Sequence, residues 1–331
     1  DPWTGTVRMW YMASYLGVMG HAESRDGVHW TRTPNDVVPG SNLILPPDLH
    51  PDSGTVFLDP TGDPAERYKM MIREPNDATR GGSFPARLYV SGDGLHWRDV
   101  GVTGPMHDRS TLFYNPFRRK WVHSIRAWIP PRFRCRRYWE GDDFRSAARW
   151  PEEGAPGFWT GADILDESGD DMAQLYNLDA VAYESVMVGL FQILRGPPNG
   201  EGEKTGSPKL TELTVGFSRD GYHWHRPTRR NFIGARREGG AWDYGYVEST
   251  GGVCLIAGDE IWFYYSAYAG DPARVGSTWQ VNGMYANGAV GLAKLRRDGF
   301  VAMQARFPGA SLRTRPVQFE RGDRLFVNAN T

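Results

Sequence analysis

Ser24-Arg25-Asp26-Gly27-Val28-His29-Trp30 returns with little change as Ser91-Gly92-Asp93-Gly94-Leu95-His96-Trp97 and again as Ser218-Arg219-Asp220-Gly221-Tyr222-His223-Trp224. Each copy lies between alternating runs, as with Leu213-Thr214-Val215-Gly216-Phe217 before the third and His223-Trp224-His225 after it, so the phrase reads as a hairpin turn. Its Asp can accept hydrogen bonds from the turn's own backbone, its Gly supplies a positive φ, and its Trp offers an apolar body to the neighbouring strand. These residues are read as scaffold, and they mark where repeating units begin and end.

Working outward from the second copy, residues 53–59, 67–73, 86–90 and 95–100 read as the four antiparallel strands of a propeller blade. The third unit aligns with it, Asp108-Arg109-Ser110-Thr111-Leu112-Phe113-Tyr114-Asn115-Pro116 matching Asp52-Ser53-Gly54-Thr55-Val56-Phe57-Leu58-Asp59-Pro60. Strands at 180–185, 186–194 and 213–217 form a fourth unit, with an exposed Gly/Pro-rich loop over 196–208. A fifth runs from 251 to a worn Asp298-Gly299 turn. Asp1-Pro2-Trp3-Thr4-Gly5 matches Asp59-Pro60-Thr61-Gly62, so the first unit enters after its inner strand. The expectation is an all-β, five-bladed β-propeller of four-stranded antiparallel blades over residues 1–311, incomplete in its first blade. The tail, 312–331, either closes the ring, for example through 324–328, or leads into a truncated β-sandwich. The insertion at 145–176 carries Trp150, Trp159 and the acids Asp163, Asp166, Glu167, Asp170 and Asp171. A segment of that length reads as a lid over one face.

The formal net charge of −1 gives no global field to draw nucleic acid or an anionic membrane, and no stretch approaches the roughly 18 apolar residues of a spanning helix. Two cysteines, Cys135 and Cys254, allow one bridge at most. No basic-then-apolar leader opens the chain. The abrupt start at Asp1 suggests processing, and a secreted or periplasmic location is the expectation. Aromatic residues make up 13% of the chain, enough to fill blade cores and to offer platforms for sugar rings.

In a propeller the first strand of each blade lies nearest the axis and its leading residue faces the central funnel. That position is acidic in blade after blade: Asp52, Asp108, Asp179 (or Asn177, if the register moves) and Glu248. Like charges crowded into one cavity shift pKa values and cost stability unless function compensates. Glycosidic hydrolysis needs carboxyl groups on both sides of the bond, one protonated and one ionised. Asp52 and Asp108 come from adjacent blades, Glu248 lies across the funnel as the candidate acid, and Glu184 is a weaker competitor nearer the outer end of its strand. Arg109 and Arg126 can hold a carboxylate or a substrate group. His107 can polarise a hydroxyl or act as an acid and His21, at a strand start, can reach the funnel, although each reads first as a scaffold histidine. Trp128, Trp139, Trp159 and Trp242 are the candidate stacking platforms. The pattern demands no metal ligand set and no cofactor; a structural Ca²⁺ on the insertion's acids is allowed, although they lack EF-hand spacing. Nucleophile-elbow, Walker and Rossmann patterns are absent.

These blades, strand-head acids and Ser-x-Asp-Gly-x-x-Trp turns resemble the five-bladed β-propeller glycoside hydrolases, the broad group of families 32, 43, 68, 117 and 130. The resemblance implies a carbohydrate substrate and O-glycosidic hydrolysis in polysaccharide degradation, with Asp52 and Asp108 matching the family 32 and 43 aspartates if blades are counted from residue 52. The short family 32 signatures are absent. The rival readings are a non-catalytic carbohydrate-binding propeller, an interaction scaffold, and a sialidase-like enzyme. The last carries a related box and would require three arginines converging on a substrate carboxylate.

Overall fold

The computed structural model describes residues 1–13, 17–49, 51–60, 62–74, 82–130, 133–166, 172–276, 282–305, 309–316, 322 and 327. Antiparallel sheets follow one another along the chain. The first contains β1 (Val7–Ala13) and β2 (Val18–Ser24); the second contains β3 (Ser53–Leu58), β4 (Tyr68–Arg73), β5 (Phe84–Ser91) and β6 (Arg98–Met106). β7 (Thr111–Asn115), β8 (Lys120–Ile129), β9 (Phe133–Gly141) and β10 (Gly157–Gly161) form the third. β11 (Gln174–Tyr183), β12 (Val186–Leu194) and β13 (Thr211–Ser218) form the fourth, followed by isolated bridges Phe217–His225 and Leu213–Ile233. In the last, β14 (Gly245–Ser249) and β15 (Leu255–Ala257) share β16 (Glu260–Tyr268), whose other edge takes β17 (Gly288–Arg296). The 196–208 loop contains a short helix, α1 (Asn199–Thr205).

The fold is all-β with a propeller arrangement. The expectation of five four-stranded blades needs correction: among the described residues four sheets have three or four strands, and the first has two. The last sheet also enters earlier than expected, at the wholly buried β14 rather than at 251, and the register of β14 on β16 shifts between Gly245 and Glu248. Among the described tail residues, 309–316 are exposed and form no strand, and 324–326 and 328 lie outside the described residues. No described helix is long and apolar enough to cross a membrane.

The turn phrase does more than end hairpins. In the third copy Asp220 Oδ1 accepts the backbone N–H groups of Tyr222 and His223, both at 2.8 Å, and Gly221 has φ +74°. The turn then docks on the neighbouring sheet, where Asn115 Nδ2 donates to Asp220 O (2.7 Å) and Trp159 Nε1 to Tyr222 O (2.8 Å). The second copy docks on the first sheet through Trp10 Nε1 and Gly94 O (2.8 Å). The first copy docks on the last sheet through Tyr264 Oη and Gly27 O (2.7 Å), which brings the two ends of the ring together. Apolar layers fill the gaps between sheets, such as Met71, Leu88, Trp121, Ile125 and Trp150 between the second and third.

The insertion, expected as a lid, contributes the edge strand β10 to the third sheet. Its β10 pairs with the outer edge of β9, and Asp163 and Asp166 are held by Arg229 and Arg226 (2.6 and 2.5 Å). Glu167, Asp170 and Asp171 lie outside the described residues. Cys135 and Cys254 are both free thiols.

Candidate active site

Asp52 precedes β3 and pairs with Arg73 at the end of β4; the almost fully buried Arg73 also donates to Gly82 O (2.6 Å) and lies over the Phe84 ring. One sheet on, Asp108 precedes β7 and pairs with Arg126 of β8. Arg109 has φ +58°, a left-handed conformation uncommon for a residue with a Cβ. Its backbone N–H donates to Ser53 Oγ (2.7 Å), tying it to the head of β3. Its side chain crosses to Glu248 Oε1 (3.2 Å) and Gln192 Oε1 (3.3 Å). Glu248 Oε2 accepts from Ser266 Oγ at 3.2 Å. Asp179 lies deeper, its Oδ2 accepting from Asn177 Nδ2 (3.0 Å) and from Ser249 Oγ. Burial pushes its carboxyl above the usual range, against the pull of Ser249, Thr111, Arg109 and Arg136.

Beside these acids stands a cationic layer. The β8–β9 register sets Arg126 opposite Arg136 and Trp128 opposite Arg134, so all four side chains share one face of the third sheet. The Arg126 guanidinium lies 4.4 Å from the Trp128 ring centroid and that of Arg134 lies 5.0 Å from the Tyr176 centroid. Arg136 is fully buried and is satisfied by Ser124, by Tyr176 O and by Arg109 O. Burial pulls Arg126 down to about 10 and Arg136 down to about 9. The buried Lys209 Nζ donates to Tyr176 Oη (3.0 Å), which also shares a hydrogen bond with Tyr246 Oη (3.1 Å). Burial alone would raise the Tyr176 phenol, but Lys209, Arg134 and Arg126 outweigh it and bring it below the usual range.

Ion pairs and charge interactions therefore link Asp52 with Arg73 and Arg126, Asp108 with Arg126, and Arg109 with Glu248 and Asp179. His107 and Trp128 pack together, their rings 4.4 Å apart and edge-on, with His107 Nε2 3.0 Å from Glu153 Oε1. Burial holds the His107 imidazole below its ordinary value.

The other candidates lie elsewhere. Glu184 caps the β11–β12 hairpin at φ +49°, more than half exposed and paired with Arg297, so it is removed from the funnel. Trp159 is core, packed on Phe113, Tyr138 and Trp224; Trp242 packs on Tyr265. Trp139 packs on Trp150 and lines a rim groove of about 590 Å³ with Tyr138, Tyr222 and the Arg118–Glu140 pair, away from the strand-head acids. His21 is buried against Trp10 and accepts from Arg8 Nε (3.2 Å), burial bringing it down to about 4. Sequence reasoning passed over Arg134, Arg136, Tyr176 and Lys209. The alternation Arg126-x-Trp128 and Arg134-x-Arg136, read as facing strands, was the available signal.

No protein-family profile matches this sequence, and no curated protein matches it. Solved structures do. An N-acetylgalactosamine deacetylase from F. plautii, solved with blood group B trisaccharide, aligns over 88% of this chain and 86% of its own at 16% identity and a TM-score of 0.58. A thermostable family-43 glycoside hydrolase aligns over 92% of both chains at 11% identity and a TM-score of 0.58. An exo-1,5-α-L-arabinanase from a bovine ruminal metagenomic library aligns over 89% of this chain and 92% of its own at 11% identity and a TM-score of 0.55. In fold, the chain is a β-propeller similar to those of family-43-type and related glycoside hydrolases, with no single family assigned.

Proposed function

We propose that the chain is a five-bladed propeller, β1–β2 being part of the remaining blade, that hydrolyses glycosidic bonds of a poly- or oligosaccharide. The observation that carries the reading is the Arg109 bridge, which joins the head of β3, the Asp108 turn and Glu248 of β14 around one opening. Asp52 and Asp108, each ion-paired with an arginine, take the base or nucleophile side, and Glu248 takes the proton-donor side. Glu248 Oε1 lies 3.2 Å from Arg109 Nη2 and Oε2 accepts from Ser266 Oγ, so proton donation requires Arg109 to give up Oε1 to the substrate. Asp179 holds Ser249, the neighbour of Glu248, and Trp128 offers a ring beside Arg126.

Asp52→Asn, Asp108→Asn and Glu248→Gln should each lower turnover of a responsive aryl glycoside or oligosaccharide by about 10²- to 10⁴-fold with the fold intact. Near-normal rates in all three sink the assignment. A second reading, carbohydrate binding without turnover, is favoured by one observation: each of these carboxylates already holds an arginine. Calorimetric binding of an oligosaccharide that the protein never cleaves would support it.

A further inference from the structure

We propose that the sugar bound at this funnel carries a fixed negative charge, a carboxylate or a sulfate, seated against Arg134 and the adjoining edge of Arg126; this rests on the carbohydrate reading above. Three of the four acids are already matched, Asp52 by Arg73, Asp108 by Arg126 and Glu248 by Arg109, and burial keeps the fourth, Asp179, above the usual carboxylate range. Arg134, Arg136 and Lys209 remain, and none forms an ion pair among the described residues. Arg136 is satisfied by carbonyl and hydroxyl oxygens. Lys209 lies among the Tyr176, Tyr246 and Tyr285 rings with its ammonium on the Tyr176 oxygen.

Arg134 has weaker company. Its polar side-chain partner is Gln174 Oε1, 3.3 Å from Nη1, and its buried Nε has none. It lies over the Tyr176 ring, 5.0 Å from the centroid, while the phenol oxygen is held by Lys209. Arg126 Nε is likewise buried without a partner. Like charges on one face of neighbouring strands are unfavourable, and desolvated cations more so. A site built for neutral sugars gains nothing from this arrangement, whereas an anion entering it relieves the repulsion. The planar guanidinium fork also matches a carboxylate or sulfate with two parallel hydrogen bonds.

The test is a glycan array holding neutral, uronate-bearing and sulfated oligosaccharides of matching chain, followed by titration of the matched members that bind. The charged member should bind about 10- to 100-fold tighter than its neutral counterpart, the range of a charge-assisted hydrogen bond. That margin should shrink as salt is raised. Arg134→Gln should abolish the margin, weakening the charged ligand far more than the neutral one, and Arg134→Lys should keep part of it, with thermal melts reporting that both variants fold. The uronate and sulfate arms separate the two sources of charge. Equal or better binding of neutral members, retention of the full margin in Arg134→Gln, or no binding of any charged member overturns the proposal. Charged sugars bound but never cleaved would leave it standing while hydrolysis fails. Neutral sugars cleaved without charge preference would do the reverse.

Discussion

Arg109 Nη2 lies 3.2 Å from Glu248 Oε1, so a guanidinium from the head of the third sheet holds a carboxylate of the last sheet across the funnel. The contact depends on the left-handed backbone of Arg109, which its N–H bond to Ser53 Oγ secures. Both side chains are largely removed from solvent, at 16% and 9% exposure, so the desolvation cost of each charge is offset by the other.

Arg109→Met leaves Glu248 without that partner and should destabilise the protein by about 3–5 kcal/mol, the cost of breaking a buried pair from one side. Glu248→Gln in the same background should recover part of the loss. Urea unfolding of the two single variants and the double variant checks this, and strict additivity of the two effects would show that the pair is uncoupled.

Asp179 should give stability a pH dependence of unusual sign. Burial raises its carboxyl in the folded state, so the native protein keeps a proton that the unfolded chain releases. Its contribution is present below the unfolded value of about 4 and is lost as pH rises through the higher folded value. An Asn amide can accept the Ser249 and Asn177 hydrogen bonds without ionising. Asp179→Asn should therefore gain stability relative to the wild type between acidic and neutral pH. Denaturant midpoints at both ends of that range test it, and a constant difference would refute it.

In the turn phrase the sign is ordinary. Partial burial opposes ionisation of Asp220, but the His223 ring and the Tyr222 and His223 N–H groups outweigh it and hold the carboxyl well below its usual range. Its contribution is full above about pH 4 and fades as pH falls toward the folded value. Asp220→Ala should lower stability at neutral pH by about 1 kcal/mol, small because the side chain is exposed, and should leave sugar turnover unchanged. In acid the melting temperatures of variant and wild type should converge.

Local chemistry made the architecture legible. Ser-x-Asp-Gly-x-x-Trp closes on itself through hydrogen bonds two and three residues apart, so Ser218 to Trp224 announces its turn in any context, and such turns between period-2 runs announce propeller sheets. Aligning those units placed Asp52 and Asp108 at strand heads, where the structure has them. Aromatic residue type, by contrast, says nothing of which way a ring faces: Trp159 and Trp242 pack against other rings, Trp139 lines a separate groove, and Trp128 lies beside His107 and Arg126.

By itself, then, the sequence determined the all-β repeat, the turn geometry and the strand-head acids, because each rests on neighbours a few residues apart. Tertiary structure alone decided that Tyr264 would grip the Gly27 turn, that Arg109 would span to Glu248, and that Arg126 and Arg134 would crowd beside Tyr176 and Lys209. Those contacts join residues far apart in the chain. They follow from strand register, sheet twist and the packing of one sheet on the next, which no local pattern encodes.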